Sequence, residues 1–319
     1  MKRILITAIG SMSTECVIRQ LRKQDVFIVG CDIYPAEWHY ESMLCDVVYK
    51  APLAKNEDEY VLFLLNVCKK HSISYILPST DLEIDVIRKY RDKFADINVV
   101  LCMQDENVLN ISRNKYNLYK KFEYDNVVSM PKTLLYSPDL SIEYPCIAKP
   151  WDGRSSEGLK IIRNKQDFLS ITGNKYILQE LKEGNIVTVD YIRDAKNFID
   201  VVIARRELLR TKNGAGLTVK CFKSATIDKI VSHIGNVLNV NGCINMEFIE
   251  SDGNYFLIDI NPRFSAGIAY SVLSGYDMVN NHLCCFEGRK IEEIKSIEEM
   301  IIVKKYEEVV INVKNIISL

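Results

Sequence analysis

The chain reads as two architectures in succession, α/β and then α+β. Over residues 1 to about 105, apolar runs of strand length alternate with runs of helix length, the pattern of a parallel sheet with crossover helices. Beyond about 106, strand-like runs follow one another with turn residues between them, which predicts antiparallel pairing. A third observation stands out from both patterns. Phe-Leu-Ile-Asp-Ile-Asn-Pro-Arg-Phe-Ser over 256–265 sets Asp259, Asn261 and Arg263 at every second position of an otherwise apolar segment.

The first part predicts a strand over 4–8, a helix over 14–23, a strand over 26–32 and a helix over 60–71. A short strand over 75–78, a helix over 82–94 and a strand over 99–102 complete a layer of Rossmann type. Gly10-Ser11-Met12-Ser13, after the first strand, could present backbone N–H groups to an anion. Asp32 ends the second strand where a dinucleotide's ribose would be read, but one glycine in the loop leaves the G-x-G-x-x-G pattern incomplete. A nicotinamide cofactor is therefore not expected. Pro78-Ser79-Thr80-Asp81 falls where open α/β sheets place a ligand crevice; it could hold substrate, or Asp81 could simply cap the next helix.

The second part opens with a helix over 115–122, then a strand over 145–150 carrying Lys149 near its end. Trp-Asp-Gly-Arg-Ser-Ser-Glu-Gly over 151–158 follows as a turn-rich loop before a strand over 159–162. Gly153, Ser155, Ser156 and Gly158 could cradle phosphate oxygens with backbone N–H groups, or form a plain hairpin loop; a lysine ending the preceding strand favours the cradle. Strands are expected over 176–179, 187–193, 198–205 and 217–222, and a helix over 227–238. The chain closes with a hairpin over 243–260, a helix from about 269 to 286 and a strand over 300–311.

At 319 residues the chain can bury two or three substantial cores. A formal net charge of −1, with charges spread along the chain, marks no nucleic-acid or membrane surface. The start reads as a first strand and not as a signal peptide, and no segment approaches a membrane span, so a cytoplasmic protein is expected. Ten cysteines without a C-x-x-C pair fit reduced, buried thiols, and the four histidines show no ligand spacing.

The hairpin carries the chemistry. Cys-Ile-Asn-Met-Glu-Phe-Ile-Glu over 243–250 and the run over 255–260 flank Ser-Asp-Gly-Asn turn residues. A three-residue loop would set Glu247 opposite Asp259 on one face, whereas a two-residue loop would slip the register and separate them. Glu247, Asp259 and the Asn261 amide on one face suit a hard, oxygen-loving cation, Mg²⁺ completed by water and phosphate better than Zn²⁺. The alternative is an ordinary hairpin whose carboxylates meet surface lysines.

Three stretches together resemble the ATP-grasp superfamily, in its carbamoyl-phosphate synthetase-like group. They are Ala-Lys-Pro-Trp-Asp-Gly-Arg-Ser-Ser-Glu-Gly over 148–158, Leu-Gln-Glu-Leu-Lys-Glu-Gly-Asn-Ile-Val-Thr-Val-Asp over 178–190, and Asn-Met-Glu-Phe over 245–248 with Leu-Ile-Asp-Ile-Asn-Pro-Arg-Phe over 257–264. The resemblance implies an N-terminal Rossmann-like pre-ATP-grasp domain over 1–105, followed by a two-lobed ATP-grasp fold. The small lobe with the phosphate loop would span 106–182, and the large lobe with the metal site 183–319. It implies that Lys115 and Lys149 contact ATP phosphates and that Gly153, Arg154, Ser155, Ser156 and Gly158 belong to a lid over them. Glu180 and Leu181 would form the adenine hinge, and Glu247, Asp259 and Asn261 would hold Mg²⁺, with Mn²⁺ as a substitute. Arg263, with Lys149, would be catalytic, stabilising the transferring phosphoryl group, and Arg205 or Arg206 would meet a substrate carboxylate unless a neighbour such as Glu207 takes it. Relatives usually carry a ribose-binding glutamate two residues after the hinge glycine. That position is Ile186 here, with Glu183 as the nearby substitute.

The implied activity is an ATP-dependent, ADP-forming carboxylate–amine or carboxylate–thiol ligase on small molecules, with room for a homodimer. Carbamoyl-phosphate synthetase itself, as the family is known, joins two grasp halves in one chain and this sequence carries one, so that reaction would need a companion chain. A regulatory, non-catalytic ATP-binding protein is the other alternative, and Ile186 is its best argument.

Overall fold

The computed structural model describes residues 1–153, 157–212, 214–294 and 297–311. The chain opens with β1 (Lys2–Ile6), α1 (Thr14–Leu21), β2 (Val26–Asp32), β3 (Val47–Lys50), α2 (Glu57–His71), β4 (Tyr75–Leu77), α3 (Asp81–Ile87), α4 (Arg91–Ala95) and β5 (Val100–Leu101). The five strands pair in parallel in the order β3-β2-β1-β4-β5. Ile4, Leu5, Ile6, Ile28, Val29 and Ile76 are fully buried, as a sheet covered on both faces requires. Strand order reverses between β1 and β4, so the loops after these two strands flank the crevice where such sheets bind ligands.

Two local expectations change here. The helix expected over 82–94 is broken by a tighter turn over Arg88–Tyr90. Its cap is Thr80 and not Asp81: the Thr80 hydroxyl accepts the Glu83 N–H while the Glu83 carboxylate accepts the Thr80 N–H. The Asp81 carboxylate is thereby available to the rest of the molecule. Strand β3, four residues long, is one the sequence reading lacks.

The chain continues through α5 (Glu106–Ser112), α6 (Lys115–Phe122), β6 (Thr133–Leu135), β7 (Cys146–Pro150), β8 (Lys160–Ile162), α7 (Lys165–Leu169) and β9 (Tyr176–Glu180). Strands β6 to β9 form a small antiparallel sheet in the order β6-β9-β7-β8. The rest is β10 (Asn185–Asp194), β11 (Ile199–Arg210), β12 (Gly216–Phe222), α8 (Ala225–Leu238), β13 (Gly242–Ser251), β14 (Asn254–Asn261), α9 (Ile268–Leu273), α10 (Met278–Glu287) and β15 (Met300–Val303). Its strands form a six-stranded antiparallel sheet, β14-β13-β10-β11-β12-β15. Alternation along β10 sorts its two faces. Val187, Val189 and Tyr191 pack with Ile227, Val231 and Ile234 of α8, while Ile192 packs with α10 and the N-terminal layer. Asp190 lies on this second face, fully buried.

The helix expected from 269 to 286 is two, α9 and α10, separated at Gly275, whose φ of +99° no L side chain adopts comfortably. The closing strand is also shorter than 300–311, since only Met300–Val303 pairs with β12. No described helix is long and apolar enough to cross a membrane. All ten cysteines are free thiols.

His282 on α10 ties the N-terminal layer to the large sheet. Its Nδ1 accepts the Cys243 N–H at 2.8 Å and its Nε2 faces the Cys102 carbonyl at 3.2 Å. Those partners require the neutral ring with the proton on Nε2, and burial pushes its pKa down to about 4. Because the unfolded ring titrates near 6.5, this contribution is whole above that pH and is lost as pH falls toward 4. Urea unfolding should show wild type losing on the order of 3 kcal/mol more than His282→Gln between pH 7 and pH 4. Equal losses would show that the ring is not held neutral.

Candidate active site

Strands β13 and β14 set Glu247 opposite Asp259 and Asn245 opposite Asn261. The route to this pairing differs from the three-residue loop that the sequence invites. Asp252 and Gly253 form a two-residue turn with φ of +50° and +77°, and Ser251 pairs with Asn254. On that register Glu247 would face Ile258. A β-bulge between Glu247 and Phe248 absorbs Ile258 and restores Asp259 to the face of Glu247. The bulged Ile258 carbonyl lies 3.5 Å from Lys149 Nζ, reaching over from β7.

Arg263 is not a third member of the strand's stripe. The strand ends at Asn261, the Arg263 N–H donates to the Asn261 carbonyl at 2.9 Å, and the guanidinium leaves for the N-terminal layer. There it meets the Asp81 carboxylate at 2.9 Å. Burial raises the Asp81 pKa, but Arg263 and Arg113 more than offset it, and the carboxyl sits below its usual range.

Glu247 and Asp259 present two like charges to each other. Burial, and then Asp259, push the Glu247 pKa up. Cations gather in response. Lys115, at the start of α6, brings Nζ to 3.0 Å from Asp259 and 2.8 Å from the Gly153 carbonyl. Arg210, at the end of β11, reaches Glu247 at 3.5 Å. Burial lowers the Lys149 pKa to about 8, against the pull of Asp259. The Lys115 N–H also donates to the Trp151 carbonyl at 2.8 Å, tying α6 to the start of the 153–158 loop. Of that loop, Arg154, Ser155 and Ser156 lie outside the described residues, while Gly153 and Gly158 flank them.

The donor set suits a hard divalent ion. A crowded carboxylate pair gains most from a doubly charged partner, and with the Asn261 amide it offers only oxygen donors; among the described residues no group of three or more His, Cys, Asp or Glu is placed to hold a metal by itself. The amide's orientation is fixed from below. Asn245 Nδ2 has two acceptors, the Val189 carbonyl at 3.2 Å and Asp190 Oδ1 at 3.3 Å, so its oxygen must face Asn261. Asn261 Nδ2 donates to that oxygen at 3.2 Å, which leaves Asn261 Oδ1 for the site.

Asp190 anchors this chain and also explains the arginine pair. Arg205, 2 % exposed, donates to Asp190 at 2.7 Å, to Glu207 at 3.3 Å and to Ser265 at 3.2 Å. Arg206 makes a two-pronged pair with Glu250, both contacts 2.6 Å, over the Phe222 ring. Both guanidiniums are engaged by neighbouring acids, the alternative that the sequence left open for this pair. Asp190, Asn245 and Arg210 are the residues around the candidate site that sequence reasoning missed; Asp81, read from the sequence as near substrate or as a helix cap, holds Arg263. An acid in the apolar run of β10 and an arginine in that of β11 were the available signal for the first.

At the hinge, Glu180 ends β9 exposed, with its N–H donating to the Lys132 carbonyl at 2.9 Å. The hinge would have to meet a base through its remaining main-chain groups. Leu181 is half-buried and Glu183 exposed. Gly184, φ +157°, is a position where a Cβ would lie 2.1 Å from the Glu250 carbonyl oxygen, so only glycine lets β10 start there. Ile186 is half-buried opposite Ile249 in the sheet, and its side chain has no group to hydrogen-bond a ribose.

Residues 112–267 match the family model of an ATP-grasp domain, and residues 4–102 that of a PylC-like N-terminal domain. Among curated proteins, the carbamoyl phosphate synthase large chain of Clostridium beijerinckii is 25 % identical over 170 residues, 48 % of this chain and 16 % of that one. That of Clostridium botulinum (strain Alaska E43) is 22 % identical over 307 residues, 88 % of this chain and 28 % of that one. The chain thus spans well under a third of the length of these relatives. Among solved structures, a biotin carboxylase–β,γ-ATP complex from Campylobacter jejuni superposes with a TM-score of 0.76 at 14 % identity, over 93 % of this chain and 73 % of that one. The N5-carboxyaminoimidazole ribonucleotide synthetase of Thermotoga maritima gives 0.72 at 14 % identity, over 94 % and 80 %. The biotin carboxylase domain of Hydrogenobacter thermophilus 2-oxoglutarate carboxylase, with MgADP and bicarbonate, gives 0.74 at 16 % identity, over 93 % and 71 %. The facing carboxylates and the two lysines thus lie within a segment that matches an ATP-grasp domain, and the parallel layer ahead of it matches a PylC-like N-terminal domain.

Proposed function

We propose that the chain is an ADP-forming ligase that joins a carboxylate to an amine, or to a thiol, through an acyl phosphate. The observation that carries this is the Glu247–Asp259 pair with Lys115, Lys149 and Asn261 gathered around it. Such a site brings polyphosphate and metal to one point and holds cations ready for charge that moves between oxygens. The relatives and structural neighbours, synthases, synthetases and carboxylases by name, one in complex with β,γ-ATP and one with MgADP, support the same class.

In this mechanism an oxygen of the substrate carboxylate attacks the γ-phosphorus of ATP, and the bond to the β–γ bridging oxygen breaks to release ADP. Two anions must approach, so Lys115 and Lys149 would neutralise phosphate charge while Arg263 steadies the phosphoryl group in transit. Magnesium bound by Glu247, Asp259 and Asn261 would supply further charge neutralisation and in-line alignment. The amine then attacks the acyl carbon, the carbon–oxygen bond to phosphate breaks, and the nitrogen gives up a proton. Closure of the 153–158 loop would keep water from the acyl phosphate meanwhile. Ile186, with no group for a ribose, favours one second reading, a nucleotide-binding protein without turnover.

Asp259→Ala should lower carboxylate-dependent ADP formation by roughly a hundred- to a thousand-fold with circular dichroism unchanged. Unchanged turnover would remove the metal assignment, and AMP in place of ADP would overturn the acyl-phosphate route.

A further inference from the structure

A cavity of about 550 Å³ opens at the crevice of the N-terminal sheet, between the loops after β1 and β4, and Arg263 closes its inner end. Its walls are mainly apolar: Met12, Ile33, Tyr34, Leu53 and Leu82. The acids along it are already engaged by protein donors. Asp32 accepts the Gly10 N–H at 3.0 Å and the Tyr34 N–H at 3.1 Å, and faces His39 at 3.2 Å. Glu83 accepts the Tyr60 hydroxyl at 2.8 Å and both the N–H and the hydroxyl of Thr80. Asp81 holds Arg263. Arg263 is the cation at the inner end: its Nε is buried, Nη1 donates to the Phe264 carbonyl at 3.1 Å and Nη2 to Asp81, and the guanidinium, still partly exposed, lines the cavity two residues beyond Asn261. An anionic head is therefore favoured at the inner end and an apolar body along the walls.

We propose that this cavity takes the carboxylate substrate, and that the substrate is an organic acid with a largely apolar body and not bicarbonate. The inference rests on the ligase reading and adds the substrate class to it. A one-carbon anion would leave most of the space empty, whereas pockets of roughly 300–1,000 Å³ are those that enclose whole organic ligands. A carboxylate against Arg263 would stand beside the phosphoryl group, as the first step requires. A dinucleotide is the competing occupant of such a crevice, and the loop argues against it. The His39 ring lies over Gly10, so near that a Cβ there would meet it at 2.3 Å, where a pyrophosphate would have to approach. The Asp32 carboxylate that would read a ribose is turned onto the Gly10 N–H instead.

Trp38 stacks on the cavity residue Tyr34, centroids 5.7 Å apart, and the chain's other tryptophan is Trp151. In Trp151→Phe, Trp38 emission therefore reports the cavity. The test titrates this variant with bicarbonate, acetate, hexanoate, decanoate, N-acetyl-leucine, N-acetyl-phenylalanine and NAD. In parallel, wild type receives each acid with ATP, Mg²⁺ and hydroxylamine, which traps an acyl phosphate as a hydroxamate. The expected result is a saturable Trp38 response to at least one apolar-bodied acid, none to bicarbonate, and hydroxamate from that same acid. Leu53→Asp should raise the KM of that acid about ten-fold, through a charge set in the apolar wall, and leave the KM of ATP unchanged. ADP release with bicarbonate alone would overturn the inference and leave the ligase standing. If no acid, bicarbonate included, releases ADP or forms hydroxamate, the ligase reading fails, and with it the substrate assignment, whatever Trp38 does. A Trp38 response to NAD and to none of the acids would overturn the cavity assignment itself.

Discussion

Two carboxylates held face to face, Glu247 and Asp259, are the constraint around which the rest of the site is arranged. A half-buried like-charge pair is unfavourable unless cations answer it. Here they come from three directions: Lys115 from the start of a helix, Arg210 from the end of a strand, and Lys149 from the small sheet. Each belongs to a different element, so the pair draws the small and large sheets toward one point. The same demand accounts for the bulge at Ile258. Without that extra residue a tight two-residue turn would send Asp259 to the opposite face.

Beneath the pair, a second buried charge sets the geometry. Asp190 accepts from Arg205, from the Ser271 hydroxyl at 2.6 Å and from Asn245, and through Asn245 it decides which way the Asn261 amide points. A buried ion pair of this kind adds little net stability, and its better-attested value is orientation. The Asp81–Arg263 contact carries orientation further, because a residue of the N-terminal layer holds the guanidinium that follows the β13–β14 hairpin. The apolar cavity and the proposed phosphoryl site meet at that one side chain.

Much of this was legible in the sequence. The alternating pattern gave the parallel layer, and Asp259 and Asn261, polar and two apart in an apolar run, marked the candidate site, because unpartnered buried polar groups are costly. What escaped was set by tertiary contact. The turn length at Asp252-Gly253 pointed to one register and the bulge produced another, which no local propensity encodes. Arg205 and Arg206 looked alike on paper, yet strand alternation sends one inward to Asp190 and the other to Glu250 across the sheet. Asp81 carries a helix-capping residue type, but the cap fell to Thr80 and its carboxylate to a partner 182 residues away. The broken helix near Gly275 was the more readable miss, since a glycine stood there in the sequence.

The most direct test of the account is Mn²⁺ binding, followed by electron paramagnetic resonance with and without ATP, in wild type and in Glu247→Gln/Asp259→Asn. The account predicts that ATP strengthens Mn²⁺ binding in wild type. It also predicts that the double variant, still folded by circular dichroism, loses at least about ten-fold in affinity for the metal–ATP pair. Equal affinity in the two proteins would show that the facing carboxylates are not the metal site.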